Sequence, residues 1–85
     1  MYFVYILRSL KDHQLYIGFS TDVYRRLDEH NMGSNQSTKA RCLFELLYYE
    51  AHTYKEDALR WESYFKTAKG KSTLRQMLRN AFVKI

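Results

Sequence analysis

The sequence has no proline, three glycines and a single cysteine, Cys42. One cysteine cannot close an internal disulfide and excludes a cysteine-rich zinc site. No apolar run approaches the roughly 20 residues that a membrane-spanning helix needs. The first residues show neither a basic stretch nor a small-residue cleavage site, so we expect no signal peptide. These absences predict a cytoplasmic protein without a membrane partner.

Acidic residues are scarce in two segments. The chain has 14 Lys and Arg against 9 Asp and Glu, a net charge of +5, yet no acid lies between Glu29 and Glu45 or after Glu62. The bases in these segments are Lys39, Arg41, Lys66, Lys69, Lys71, Arg75, Arg79 and Lys84. Such stretches favour a surface that meets the phosphates of a nucleic acid, and a merely solvated basic face is the plain alternative.

A chain of 85 residues, 46% of them hydrophobic, is long enough for one domain with one core, spanning residues 1–85. Strands are predicted at 2–8, 15–19 and 43–51, and a first helix runs from the cap cluster 20–22 to about His30, with Gly33 as its stop. Residues 34–41 are predicted to form a polar, basic loop. The predicted order is β-β-α-β-α-α, an α+β variant of the α/β class with a small three-stranded antiparallel sheet flanked by helices.

Two further helices follow the third strand. Thr53 and Glu56 have the spacing of a capping box, and the helix they open should run to about Ala68 and end at Gly70. Ser72 then caps a last helix. Its apolar positions follow helical spacing and are Leu74, Met77, Leu78, Ala81, Phe82 and Ile85.

Two tyrosines and a glycine stand out in the predicted hairpin. Side chains alternate along a strand, so Tyr5 and Tyr16 can lie side by side on one face, with Gly18 on the face of Tyr16. Tyrosine is also a favoured strand residue, and the chain has 8 of them. A glycine inside a strand indicates a close approach or a bulge, although it also suits a strand end.

Arg26, His30 and Glu62 are the other candidates. Arg26 and His30 are four residues apart and share a helix face, where a common surface pair is the alternative. On the second helix Glu62 falls between apolar positions on both sides. A carboxylate there requires a partner, which is either a metal ion or a buried arginine.

These residues, taken in order, resemble the GIY-YIG nuclease family. Phe3-Val4-Tyr5 stands for the first tripeptide, with Phe3 in place of its glycine, and Tyr16-Ile17-Gly18 matches the second. The similarity extends to about residue 80 and is strongest to small stand-alone bacterial members, which are named as excinuclease-like or endonuclease-like. Asn80 is a possible match to a late polar position of the family.

The resemblance implies a phosphodiester hydrolase that cuts DNA, with repair or recombination intermediates as substrates and RNA as an open alternative. It implies catalytic roles for Tyr5, Tyr16, Arg26, His30 and Glu62, a structural role for Gly18, and one divalent cation, Mg²⁺ or Mn²⁺, on Glu62. We expect Lys39, Arg41, Arg75 and Arg79 to contact the nucleic-acid backbone, the last two from one face of the last helix. The alternatives are a non-catalytic nucleic-acid-binding module on the same fold and a protein-interaction domain with the tyrosines as core.

Overall fold

A computed structural model describes residues 1–33 and 43–83, so the predicted loop at 34–41 lies outside the described residues. The elements are β1 (Tyr2–Ser9), β2 (Leu15–Ser20), α1 (Val23–Asn31), β3 (Phe44–His52), α2 (Lys55–Phe65), α3 (Ala68–Met77) and α4 (Arg79–Val83). The predicted α+β class and element order are confirmed, except that the last predicted helix is divided into α3 and α4. In the described part of the chain, no helix is both long and apolar enough to cross a membrane.

The three strands form one antiparallel sheet in the order β2-β1-β3. Because β1 is central, every one of its residues from Val4 to Ser9 is buried. The register places Tyr5 opposite Gly18 on one side and Tyr49 on the other. A register shift between Ile6 and Leu7 interrupts the pairing with β3. The hairpin register therefore determines which side chains meet Tyr5.

The two faces of the sheet carry separate hydrophobic clusters, as alternation along β1 requires. The first consists of Val4, Ile6, Ile17, Ala58, Phe65 and Leu74, and it joins the sheet to α2 and α3. The second consists of Tyr5, Leu7, Val23 and Phe44, and it lies towards α1. The predicted tyrosine face is thus the face that α1 covers.

The first helix begins and ends as predicted. Asp22 is its N-cap, in an extended conformation, and its carboxylate accepts a hydrogen bond of 3.1 Å from the backbone N–H of Arg25. After Met32, the C-cap, Gly33 adopts a positive φ of 73° that favours glycine. These local signals determine the position of α1 along the chain.

The predicted capping box of α2 is wrong. The helix begins at Lys55, and its N-cap is Tyr54, which makes no side-chain capping hydrogen bond. Strand β3 continues to His52 and Tyr54 is still extended, so the helix starts later than the Thr53 spacing requires. Acidic residues in the first turn, Glu56 and Asp57, instead complement the partial positive charge of the helix N-terminus.

The predicted boundary between the later helices is also wrong. Helix α2 ends at Phe65, and Thr67 caps α3 by accepting a hydrogen bond of 2.9 Å from the N–H of Gly70. Gly70 therefore lies in the first turn of α3 rather than at a helix end, and Ser72 lies inside α3 rather than at its cap. A Cβ on Gly70 would lie 1.8 Å from the carbonyl oxygen of Tyr64, so this glycine permits the close approach of α2 and α3.

The last predicted helix is interrupted at Leu78, the C-cap of α3. Buried Arg8 donates to the carbonyl oxygen of Ala81 over 2.7 Å and pairs with Glu45, which attaches α4 to the sheet. The guanidinium of Arg75 lies 5.4 Å from the centre of the Phe82 ring. Arg75 and Arg79 consequently belong to different helices, and the expectation that they share a face of one helix is wrong.

Candidate functional site

Tyr5 lies at the centre of the candidate site. Its side chain is 1% exposed, and Gly18 faces it across the hairpin. A Cβ on Gly18 would lie 2.4 Å from both Cζ and the hydroxyl oxygen of Tyr5. Gly18 is inside β2, so the strand-end interpretation is wrong and the close-approach interpretation is confirmed. The glycine provides the space that the Tyr5 ring occupies.

His30 meets the two tyrosines from α1. Its Nε2 lies 3.1 Å from the hydroxyl oxygen of Tyr5, within hydrogen-bond distance, and its ring centre lies 4.6 Å from that of Tyr16. The rings of Tyr5 and Tyr16 are 6.3 Å apart. His30 is fully buried, so the alternative of a surface Arg-His pair is wrong for this residue. The structure places Tyr5 and Tyr16 near each other, as strand alternation predicted, and His30 contacts both of them.

Arg26 lies at the edge of this buried cluster, one turn before His30. Its Nη1 donates to the Glu29 carboxylate over 2.7 Å, and that hydrogen bond raises the pKa of Arg26, which keeps the guanidinium charged. Glu29 also lies 3.8 Å from Nε of Arg25, an exposed residue. Sequence reasoning missed Glu29, although its spacing of three and four residues from the two arginines is a recognised signal for helical ion pairs.

The hydroxyl of Tyr5 experiences opposing influences. Burial raises its pKa most, since a phenolate is disfavoured away from water. Arg26 opposes this rise through a hydrogen bond and its positive charge, whereas Tyr16 and Glu62 add to it. The pKa of Tyr5 is raised overall from an ordinary value of about 10. At neutral pH the hydroxyl is therefore protonated and can donate to an unprotonated Nε2 of His30.

Glu62 projects from α2 and acts electrostatically on the Tyr5 hydroxyl. Its side chain is 18% exposed, and Oε2 lies 3.3 Å from Nζ of Lys66 on the same helix. Lys66 is a solvent-exposed lysine, so the interpretation of a buried arginine as its partner is wrong. Leu59, one of the apolar positions that flank Glu62 on the helical wheel, is 38% exposed. The carboxylate thus lies at an accessible boundary rather than inside an apolar arc.

Asn31 joins the elements that surround the site. Its side-chain oxygen accepts a hydrogen bond of 2.5 Å from the N–H of Phe44, and its amide donates to the carbonyl oxygen of Phe44 over 3.3 Å. This pair of bonds attaches the beginning of β3 to the end of α1. The Phe44 ring then lies 5.9 Å from the His30 ring. Asn31 was missed because nothing local in the sequence indicates its partner.

Two of the four residues expected to bind the nucleic-acid backbone belong to the described part of the chain, Arg75 and Arg79. Lys39 and Arg41 lie outside the described residues. Arg75 lines a cleft of about 420 Å³ with Lys71 and residues of the β1–β2 turn, and Arg79 is exposed at the beginning of α4. Asn80 is also exposed on α4.

The geometry agrees with what comparison with known proteins finds. The family model described as the GIY-YIG catalytic domain matches residues 1–76, which include all five predicted catalytic residues. The chain belongs to the GIY-YIG family. In this chain, the tyrosine of the first tripeptide, Tyr5, occupies the space that the absent Cβ of the glycine of the second tripeptide, Gly18, leaves.

Relatives of this GIY-YIG protein are small bacterial proteins. A UPF0213 protein of Streptococcus agalactiae serotype V is 45% identical over 65 residues, covering 75% of this chain and 73% of the relative. A UPF0213 protein of Streptococcus pyogenes serotype M3 is 39% identical over 71 residues, covering 82% and 76%. The solution NMR structure of a UPF0213 protein from Bacillus halodurans is similar with a TM-score of 0.56 and 37% identity, covering 91% of this chain and 85% of that one. The α+β fold is therefore shared with a solved structure.

The GIY-YIG family implies a divalent metal, and one carboxylate of this site suits it. Residues 1–33 and 43–83 contain no group of three or more His, Cys, Asp or Glu side chains that could hold a metal ion. Mg²⁺ does not require such a cage, since it keeps several waters and binds through one or two carboxylates together with substrate phosphate. Glu62, partly accessible and close enough to influence Tyr5, provides a donor of this kind.

Proposed function

We propose that this protein is a divalent-metal-dependent endonuclease that hydrolyses phosphodiester bonds of DNA, with repair or recombination intermediates as its class of substrate. The observation that carries the proposal is the buried hydrogen bond between Tyr5 and His30, with Arg26 beside it. When water attacks a phosphate, one group must accept the proton of the water and a positive charge must stabilise the phosphate oxygens. The Tyr5–His30 pair and the Arg26 guanidinium can serve these two purposes.

The proposed chemistry assigns the proton of the attacking water to Tyr5. Because burial keeps Tyr5 protonated, its hydroxyl can accept that proton only if it passes its own to Nε2 of His30, 3.1 Å away. The water oxygen forms a new bond to phosphorus while the bond to the leaving oxygen breaks. Tyr16, packed on the His30 ring, helps to position the water or the phosphate.

Arg26 has the second role. Its planar guanidinium can donate two parallel hydrogen bonds to phosphate oxygens as negative charge develops there. Its hydrogen bond to Glu29 holds the side chain in place next to Tyr5. A Mg²⁺ or Mn²⁺ ion held by Glu62 would supply Lewis-acid chemistry at a non-bridging phosphate oxygen.

The two other functional classes explain fewer of these features. A non-catalytic nucleic-acid-binding module requires the basic residues but has no need for a buried tyrosine bonded to a buried histidine. A protein-interaction domain with tyrosine as core has no need for that bond either, since the net gain from a typical hydrogen bond is only about 0.5–1.5 kcal/mol. Both classes predict that there is no cleavage activity for a substitution of Arg26 to lower.

The test is a cleavage panel of flapped, branched, nicked and single-stranded DNA, with matching RNA, in Mg²⁺ or Mn²⁺. Arg26→Lys keeps the charge but removes the planar fork, so cleavage should fall by roughly tenfold or more while DNA binding changes little. Cleavage that survives this substitution unchanged would contradict a transition-state role for Arg26.

Glu62→Ala provides the second arm, with Lys66→Ala as its matched control. Both variants remove the same surface ion pair, which contributes only about 0.3–0.5 kcal/mol, so both should keep nearly the parental melting temperature. Only Glu62→Ala should abolish cleavage, because Lys66→Ala keeps the carboxylate. Loss of cleavage in both variants, or in neither, would show that the carboxylate does not hold the metal.

A further inference from the structure

A cleft lies on the face of the sheet opposite Tyr5. It has a volume of about 420 Å³ and is formed by the turn between β1 and β2 together with α3 and α4. Leu15, which lines it, packs against the hydrophobic cluster that joins the sheet to α2 and α3, whereas the next residue, Tyr16, packs with the cluster of Tyr5. The cleft is therefore separate from the candidate site. Its volume falls within the roughly 300–1,000 Å³ typical of small-ligand clefts.

Two cations of α3, Lys71 and Arg75, line the cleft. They are four residues apart, so they lie on one face of the helix. Within residues 1–33 and 43–83, no ion pair includes either of them. Like charges at this spacing destabilise a helix slightly. An anion bound between them would remove that repulsion.

Phe82 holds the Arg75 guanidinium in place before a ligand binds. The guanidinium carbon lies 5.4 Å from the ring centre, within the reach of about 6 Å that a cation–π contact has. Phe82 belongs to α4, which the hydrogen bond from Arg8 to the carbonyl oxygen of Ala81 attaches to the sheet. A guanidinium held in this way loses less conformational entropy when it donates to a ligand.

The other wall of the cleft is a turn fixed by buried Ser9. The Ser9 hydroxyl oxygen accepts hydrogen bonds of 3.1 and 3.4 Å from the N–H groups of Lys11 and Asp12, and its carbonyl oxygen accepts one of 2.9 Å from the N–H of His13. Oδ1 of Asp12 accepts from the N–H of Gln14 over 3.0 Å. His13 and Gln14 line the cleft, and both side chains can donate hydrogen bonds to a ligand.

The charges of the cleft indicate the class of its ligand. Lys71 and Arg75 are positive, and the carboxylate of Asp12 opposes them from the turn. A phosphate monoester carries a charge of about −1.5 to −2 at neutral pH and has three acceptor oxygens, and an arginine can donate two parallel hydrogen bonds to it. We propose that the cleft binds a phosphate monoester, carried by a free nucleotide or by the end of a nucleic-acid strand. This assignment does not depend on the proposed nuclease reaction.

Binding of thymidine 5′-monophosphate to the whole chain, measured without divalent metal, tests the proposal directly. A titration at constant pH and ionic strength, followed by the amide NMR resonances, should give saturable shifts in the β1–β2 turn and at residues 71–75. Thymidine, which lacks the phosphate, should leave these resonances in place. Equal shifts with the two ligands, or no saturable shift at these residues with the nucleotide, would overturn the proposal.

A pair of deoxythymidine oligonucleotides distinguishes the two sources of the monoester. If only the strand with a 5′-phosphate shifts the cleft resonances, and the strand with a 5′-hydroxyl does not, the end of a strand is a ligand. If neither strand shifts them while the nucleotide does, the ligand is a free nucleotide. Equal shifts with both strands would show that backbone phosphodiesters bind there and that the assignment to a monoester is wrong.

Matched variants separate contact in the cleft from the overall charge. Lys71→Gln and Lys69→Gln each remove one exposed positive charge from α3, at positions about 200° apart around the helix. Lys71→Gln should weaken binding of thymidine 5′-monophosphate roughly tenfold, as expected for one lost charge-assisted hydrogen bond, whereas Lys69→Gln should bind as the parent does. Asp12→Asn keeps an oxygen for the N–H of Gln14 and removes the opposing charge, so it should bind more tightly. Equal weakening by the two lysine variants, or an Asp12→Asn protein that binds no more tightly, would contradict a phosphate held between α3 and the turn.

Discussion

At the scale of single residues, the site depends on one large side chain and the space around it. Tyr5 is buried, its ring occupies the place of a missing Cβ on Gly18, and its hydroxyl meets Nε2 of His30. Burial raises the pKa of Tyr5, so an isolated phenolate would be a costly base at neutral pH. The hydrogen bond to His30 provides a route by which the neutral hydroxyl can exchange its proton.

This arrangement predicts that Tyr5 and His30 act as a unit. Tyr5→Phe and His30→Phe should each lower the cleavage rate by on the order of a hundredfold, the scale of general acid–base catalysis. The double variant should lose hardly more than the worse single variant, because groups that act together are not additive. Single-turnover rates with excess enzyme measure this cycle. Losses that multiply in the double variant would indicate independent roles.

The free energy of unfolding of the same four proteins tests the Tyr5–His30 pair in a second way and controls for misfolding. Each single substitution removes one partner of the Tyr5–His30 hydrogen bond and leaves the other polar atom buried without that bond. The loss costs about 1–3 kcal/mol. The double variant replaces both partners and should be destabilised by less than the sum of the two. Urea unfolding of all four proteins gives these free energies, and an additive result would show that the hydrogen bond contributes little to the fold.

At the scale of elements, the junction of α2 and α3 shows why a glycine can be misread. Gly70 was expected to end a helix, the usual position of glycine, but the hydroxyl of Thr67 accepts from its N–H and begins α3 there. The glycine is required by the neighbouring helix, since a Cβ would lie 1.8 Å from the Tyr64 carbonyl oxygen. The end of α2 and the start of α3 are therefore in direct backbone contact.

Whether Gly70→Ala raises or lowers the free energy of unfolding tests this contact. Helix propensity alone favours alanine by about 1 kcal/mol in a helix interior, so an unhindered site would be stabilised. The clash with Tyr64 requires a shift of backbone, and overpacking of this kind costs about 1–3 kcal/mol. We expect net destabilisation in urea unfolding. Lys69→Ala, at an exposed position next in sequence, should change stability little, and a Gly70→Ala protein at least as stable as the parent would contradict the close approach.

At the scale of the whole molecule, the net charge of +5 is distributed unevenly. Some of its acids pair with bases nearby in sequence, such as Glu29 with Arg26 and Asp57 with Arg60. The chain beyond Glu62 contains six Lys and Arg and no Asp or Glu, and of these bases Lys66 pairs with Glu62. With this distribution of charge, we expect a long-range attraction to nucleic acid.

Binding to DNA should therefore weaken steeply as salt is added, because each neutralised phosphate releases counterions. Arg79→Ala should reduce the slope of log affinity against log salt by about one unit if that exposed side chain contacts a phosphate. Anisotropy titrations at several salt concentrations measure the slope. A flat response of the parent protein would rule out a phosphate-facing surface, and an unchanged slope for Arg79→Ala would remove that residue from it.

The sequence by itself determined most elements of the fold and nominated the residues of the candidate site. Alternating strand residues, the Asp22 cap and the Gly33 stop are local features, because a side chain and the backbone within four residues decide them. The positions of Tyr5, Tyr16, Arg26 and His30 on paired strands and one helix face follow from the same periodicities.

Only the tertiary structure decided which partners these residues have. The end of α2, the break at Leu78, the ion pair of Arg8 with Glu45 and the exposure of Trp61 all depend on residues distant in sequence or on neighbouring helices. Local propensities differ by at most about 1 kcal/mol for residues other than proline, which is less than a single backbone clash or buried ion pair can impose. Packing therefore overrides local preference wherever two elements meet, and the partner of each side chain is determined there.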